Sequence, residues 1–229
     1  MRKASVGEGF TVTVAGNVFA ASSGELKVRF SPDSKPHTAS RLNRLVYPSG
    51  LVGFTWVDSL VPLTFQMPLS EQQIAERVVR EKSVSGVELS GIVKPAVSLA
   101  TGEMHEPMNS MRICIDELLS HWGLDAHAQR TLSQRVKPID QGNWARVLQE
   151  NYPRDMVAQG RGANVEIRLM VGADGRTTSC HTPIPSREPV FESIACEVMM
   201  KVSRFEPALD SGGRPIASLF VTSAVFDPN

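Results

Sequence analysis

The stretch ANVEIRLMVGADGRTTSCHTPI, residues 163–184, constrains the fold more than any other part of the chain. Val165, Ile167, Leu169 and Val171 alternate with more polar neighbours, which is the period of a strand with one buried face. Asp174-Gly175 then interrupts the alternation, and a second short run, 176–181, follows. Two such runs around an Asp-Gly pair predict an antiparallel hairpin, the Asp-Gly pair supplying the positive-φ positions of a tight turn. A hairpin cannot bury its apolar face alone, so the elements after it must cover it. The pattern VFESIACEVMMKVS predicts a helix, with Ile194, Val198, Met199, Met200 and Val202 as the face packed on the sheet. An extended RFEPALDSGGRP follows, in which Pro207 stops the helix region and Gly212, Gly213 and Pro215 form a turn, and ASLFVTSAVF, residues 217–226, is a last strand. With a short helix in PRDMVAQG ahead of the hairpin, residues 151–229 form an αββαβ module around a three-stranded antiparallel sheet.

Upstream, FTVTVAGNVFA, ELKVRF, LVGFTWV and LVPLTF read as strands separated by Ser-, Pro- and Gly-rich turns. At Ser70 the period changes. SEQQIAERVVREK has an N-cap serine, acidic residues early, basic residues late, and Ile74, Val78 and Val79 on one face. GVELSGIVKPAVSLATG returns to strand, and MNSMRICIDELLSHWG places Met111, Ile115, Leu118, Leu119 and Trp122 at helical spacing with Gly123 as the stop. The expectation is an α+β chain with a β-rich N-terminal domain over 1–130, a linker over 131–150 and the small module over 151–229.

Composition narrows the function. Lys plus Arg equals Asp plus Glu at 24 each in 229 residues, so no net field draws the chain to nucleic acid or to an anionic membrane. No run approaches the roughly 20 apolar residues of a membrane helix. The N-terminal MRKASVGEGFTVTVAGNVFAAS has basic, apolar and small residues in the order of an export signal, but Phe10, Val12 and Val14 alternate and favour a strand. Three cysteines, Cys114, Cys180 and Cys196, lack the spacing of a zinc or redox site, leaving one bridge with one free thiol as an option.

Candidate chemistry is thin. Cys114 and His121 share a helix face but lie roughly 10 Å apart along it, too far for a nucleophile–base pair or a common metal. His105 lies between Glu103 and Glu106, a pattern of solvated loop residues, and the glycines of GVELSG and GNVFAASSG lack a phosphate-cradle context. No catalytic residue, metal or cofactor is expected. Arg204 is expected at the surface or paired in the region of Glu192 and Glu197.

The C-terminal run resembles the C-terminal domain of the TonB family of energy transducers. The resemblance rests on Tyr152-Pro153, Gly160 and Gly162 before the first strand, Asp174-Gly175, the aromatic-x-Pro segment Phe205 to Pro207, and Gly213 with Pro215 before the last strand. The N-terminal part, through MRICIDELLSHWGLDAHAQRTLSQRVKP, is similar to that of secreted or periplasmic alphaproteobacterial proteins that end in such a domain. In those the helix cysteine has a partner nearer the N-terminus, and here no cysteine precedes Cys114. The resemblance implies a non-enzymatic periplasmic or secreted protein of the cell envelope, related to TonB-dependent transport. Its partner is a protein or extended peptide, an outer-membrane receptor being the family's example. The corresponding strand in that family receives the peptide by strand addition, which assigns partner binding to Ala217, Ser218, Leu219, Phe220, Val221, Thr222, Ser223, Ala224, Val225 and Phe226. If the family's helix packs across the sheet, Cys180 and Cys196 come within the roughly 4.4 to 6.8 Å Cα separation of a disulfide. The chain as read holds no anchor and no long Pro/Lys/Glu-rich spacer, so binding is expected rather than force transmission. The alternatives are a homodimer covering the same edge, or an enzyme or ligand-binding protein with its site in the N-terminal domain and the TonB-like module structural.

Overall fold

The computed structural model describes residues 9–16, 24–47, 49–60, 69–183, 185–186 and 188–228, and the chain divides into two units, Met1–Arg130 and Thr131–Asn229. Unit 1 comprises β1 (Phe10–Ala15), β2 (Leu26–Ser31), β3 (His37–Thr38), β4 (Ser40–Val46), β5 (Val52–Asp58), α1 (Glu71–Ser83), β6 (Gly86–Gly91), β7 (Val97–Ala100), α2 (His105–His121) and α3 (Ala126–Arg130). Two antiparallel sheets, ordered β1-β5-β4 and β3-β2-β6-β7, turn their apolar residues to a shared core. Phe10, Phe54 and Trp56 of the first meet Leu26, Val28, Phe30 and Leu89 of the second, with Met104 and Met108 from the start of α2. The strand expected over LVPLTF, beyond Leu60, and the end of the one expected over FTVTVAGNVFA lie outside the described residues. RLNRLV, assigned to no element from the sequence, forms β4, because pairing with β5 overrides its poor alternation.

Helix α1 starts as its sequence predicts, with Ser70 accepting from Gln73 N–H and the Gln73 side chain returning to the Ser70 N–H. Its packed face differs from expectation. Ile74 and Val79 are exposed, and the side turned to the core carries Glu81, 1% exposed. That carboxylate accepts two hydrogen bonds from Arg112 of α2, at 2.7 and 2.9 Å, and one from His105 Nδ1 at 2.9 Å, while Arg77 Nε approaches to 3.9 Å. A hydrophobic pattern search misses such a face because its inward residues are charged and are satisfied by one another.

Unit 2 comprises β8 (Lys137–Ile139), α4 (Gln141–Glu150), α5 (Arg154–Ala158), β9 (Ala163–Val171), β10 (Thr177–His181), α6 (Pro189–Val202), β11 (Arg204–Glu206), β12 (Ala208–Leu209), β13 (Pro215–Ile216) and β14 (Ser218–Phe226). The central sheet is β10-β9-β14, all antiparallel. Its buried side, led by Val165, Ile167, Leu169 and Val171, packs on Phe191, Ala195, Val198 and Met199 of α6, while Met200 points outward. One reading of the sequence needs correction here. The stretch 131–150 is not a linker: it holds β8 and α4, and Trp144 and Leu148 of α4 are core residues of this unit. Pro138 and Gly142 hid a helix only ten residues long, begun by Asp140 in the left-handed region at φ 53° with its carboxylate on Asn143 N–H. Helix α6 ends at Val202, one residue from the expected end, and the stretch expected to be extended after it forms β11 against β8.

The hairpin turn is longer than a two-residue one. Gly175 alone has positive φ, at 75°, and Gly172 N–H bonds Arg176 O while Gly175 N–H bonds Gly172 O. A side chain at Gly175 would run into Phe205 O, 2.1 Å from an ideal Cβ, and Phe205 N–H in turn bonds Gly175 O. The glycine therefore both closes the turn and lets β11 dock on it.

Candidate partner-binding edge

Strand β14 pairs with β9 without a break, from Ser218 opposite Val171 to Phe226 opposite Ala163. Phe220, Thr222, Ala224 and Phe226 share the helix-facing side, whereas Leu219, Val221, Ser223 and Val225 occupy the other. Two aromatic groups pin the buried side at its ends. Phe220 packs on Phe205 and Trp144, with ring centroids at 5.2 and 6.4 Å, and Phe226 on Phe191 and Tyr152 at 4.7 and 5.6 Å. On the opposite side Val221 is 42% and Val225 53% exposed.

Within its sheet β14 is an edge strand, and its backbone polarity follows from two contacts. A Cβ on Gly162 would lie 2.5 Å from Phe226 O, so the Phe226 carbonyl is directed to the β9 side. The Val225 carbonyl accepts instead from Gln149 Nε2 of α4 at 2.9 Å and is directed away from β9. In an antiparallel ladder both main-chain groups of a residue point the same way and the direction alternates along the strand. Leu219, Val221, Ser223 and Val225 thus turn N–H and C=O outward, while Phe220, Thr222 and Ala224 serve the β9 ladder. Of the ten sequence-assigned residues, the strand brings nine into one line; Ala217 precedes it.

Across the sheet the exposed side runs in rows, His181–Arg168–Val221 and Ser179–Met170–Leu219. Burial among these neighbours draws the Arg168 guanidinium below its ordinary range. Arg168 lies on the side of β9 opposite Ile167 and Leu169, where it is half-buried.

The remaining candidates fall elsewhere. Cys180, opposite Leu169 on the helix-facing side of β10, is bonded to Cys196 of α6 with Cα atoms 5.4 Å apart, and Cys114 is free and exposed on α2. His105 turns to Glu81 rather than to Glu103 or Glu106. His121 is exposed at the end of α2. Arg204 donates to Ser203 O, while Glu192 accepts from Thr182 Oγ1 and from Ser186 N–H. Sequence reasoning missed Glu81 with Arg112, and it missed Gln149; neither residue type carries a local pattern, because each is defined by a partner far away in the chain.

Taken by its geometry, unit 2 is a small α+β module with a long edge strand fixed by aromatic anchors. Residues 149–228 match the family described as Gram-negative bacterial TonB protein C-terminal, so this part of the chain is a TonB C-terminal domain. Domains of this family are periplasmic in Gram-negative bacteria and interact with proteins of the cell envelope, and the family is one of non-enzymatic energy transducers. The match begins at Gln149, so β8 and most of α4 precede it. A search of curated proteins found no match to the chain. Among the described residues no helix is long and apolar enough to cross a membrane.

Proposed function

We propose that this chain is a non-enzymatic, periplasmic partner-binding protein whose C-terminal domain takes up an extended segment of another envelope protein by strand addition along β14, in the service of TonB-dependent transport. The observation that supports it is the outward row of main-chain groups at Leu219, Val221 and Ser223 on an edge strand whose other side is locked to β9. An added strand draws affinity from these donors and acceptors. It draws selectivity from the side chains flanking them, Val221 and Arg168 on the open face.

Isotope-labelled protein titrated with extended peptides at about 1 mM, enough to detect weak strand addition, is expected to show amide shifts concentrated in 217–226. Two proline variants then separate binding from folding. Val221→Pro removes an outward donor, which an edge strand tolerates, so the fold is retained and the shifts vanish. Thr222→Pro removes a β9 ladder donor and destabilises the unit. Absence of shifts in a monomeric wild-type protein overturns the proposal; shifts that survive Val221→Pro move the site elsewhere.

A further inference from the structure

The second sheet of unit 1 ends in two unlike edges. β3 is two residues long and follows Pro36, whereas β7 is a full strand with no further strand beyond it among the described residues. Edge strands that stay free usually carry a charge, a proline or a bulge. β7 has none of these: its residues VSLA lie in a stretch without a charged side chain from Pro95 to Gly102, and its register against β6 is unbroken. A Cβ on Gly86 would lie 3.1 Å from Leu99 O, and Thr101 N–H bonds Ser85 O, so Leu99 and Thr101 turn their main-chain groups to the β6 side. Ser98 and Ala100 therefore turn theirs outward. An apolar row crosses the sheet through Phe30, Val87 and Leu99, which are direct partners on β2, β6 and β7. Phe30 and Val87 are 6% and 9% exposed in the core, but Leu99, last in the row, is 40% exposed.

We infer that β7 is a self-association edge, at which unit 1 pairs with β7 of a second copy of this chain across a two-fold axis at Leu99. The choice of a second copy follows from symmetry. With Leu99 opposite its own counterpart, Ser98 of each copy faces Ala100 of the other, so every outward residue exchanges main-chain bonds. Leu99 then takes the close, non-hydrogen-bonded position, with Cα atoms about 4.5 Å apart, and the interrupted apolar row continues through the same residues of the second copy. Lys94 and Glu103 bound the uncharged stretch, and the antiparallel register brings the Lys94 end of each copy to the Glu103 end of the other. A second copy thus supplies the leucine row and the opposed end charges together. The contact is short, below the roughly 1,000 Å² of a lasting interface, so association is weak, with a Kd on the order of 0.1 mM. Pairing at β7 does not depend on strand addition at β14; on that reading, a dimer holds two partner segments at once.

Sedimentation equilibrium and amide exchange on the full chain, from about 10 μM to about 1 mM, test this. A monomer–dimer equilibrium is expected, with the amides of Ser98 and Ala100 gaining protection only as concentration rises. Leu99→Lys sets two ammonium groups against each other and should weaken association about tenfold or more. Ser98→Pro removes an outward donor without touching the β6 ladder and should do the same. In a Cys114→Ser background, Leu99→Cys should cross-link two copies under mild oxidation, because facing Cβ atoms of a close pair suit a disulfide. Ser98→Cys, which faces Ala100, should not. A chain that stays monomeric to about 1 mM with no cross-link through Leu99→Cys overturns the proposal. So do Ser98 and Ala100 amides protected at every concentration, which means that the edge is covered within one chain. A dimer that survives both Leu99→Lys and Ser98→Pro lies elsewhere and also overturns it.

Discussion

The two units fasten their helices by opposite chemistries. In unit 1, α1 and α2 are joined through one buried carboxylate, Glu81, gripped by Arg112 and His105. In unit 2, α6 is joined to the sheet by the covalent bond between Cys180 and Cys196, surrounded by aromatic and aliphatic packing. The difference matters because each fastening fails under its own condition. A buried charge network depends on protonation and breaks badly when one member is removed, since the others are left buried without compensation. A disulfide is indifferent to acid and depends on redox poise, acting mainly by limiting the unfolded chain. Acid should therefore loosen unit 1 first, and reductant unit 2.

The largest effect is expected at Glu81. Burial alone pushes its carboxyl up, but the hydrogen bonds from Arg112 and His105, with the fields of Arg112 and Arg77, outweigh it and hold it below the ordinary range. A depressed folded value means that the stabilisation is present in full above the ordinary carboxylate range and is lost as pH falls through the lower, folded value. Glu81→Ala is expected to cost about 3 to 5 kcal/mol, read as lost hydrogen-exchange protection in β2 and β6. It should also remove most of the acid dependence of that protection. Asp210 of unit 2 is held low as well, chiefly by Arg214 N–H, but it secures a turn and not a core, so protection in β9 should change little over the same acid range. Equal acid sensitivity in β9 and β2 would break the comparison.

Next in size is the disulfide. Its cysteines are 16 residues apart, and closing such a loop contributes about 3 kcal/mol. Cys180→Ser with Cys196→Ser should lower protection in β9 and β10 by that amount and leave β2 and β6 unchanged. Cys114→Ser, at an exposed thiol, should change neither. Full protection of β9 in the double variant would mean that the packing of Phe191, Ala195 and Met199 holds α6 unaided.

Much of unit 2 was readable from the chain because its strands follow strict alternation and its turns carry Gly and Pro where the backbone needs them. Gly175, Gly162 and the run 218–226 are local signals with local causes. What escaped was set by distant partners. Asp140 starts a helix from a left-handed φ, Trp144 finds its place only against Phe205 and Phe220, and Gln149 has meaning only beside Val225. Unit 1 was harder for the same reason. Val79 fits an amphipathic pattern yet points to solvent, because the buried position on α1 is occupied by Glu81, which no hydrophobic period selects.

The smallest expected effect sharpens that last point. Helix α1 is held near its C-terminus by Glu81, while its first turns, from Glu71 to Glu76, contribute no buried side chain. The capping box of Ser70 and Gln73, with the exposed Gln72–Glu76 side-chain hydrogen bond, organises that end. Ser70→Ala removes the side-chain acceptor for Gln73 N–H, a loss of about 1 kcal/mol. Because the N-terminal turns bury nothing, the loss should be local. Amides 72–76 should exchange faster, whereas those near Glu81 and in β6 keep their wild-type protection. If Ser70→Ala lowers protection throughout α1 and into β6, the helix is a single cooperative unit with its core, and the view that it is fastened only near its C-terminus, by Glu81 and Arg80, must be given up.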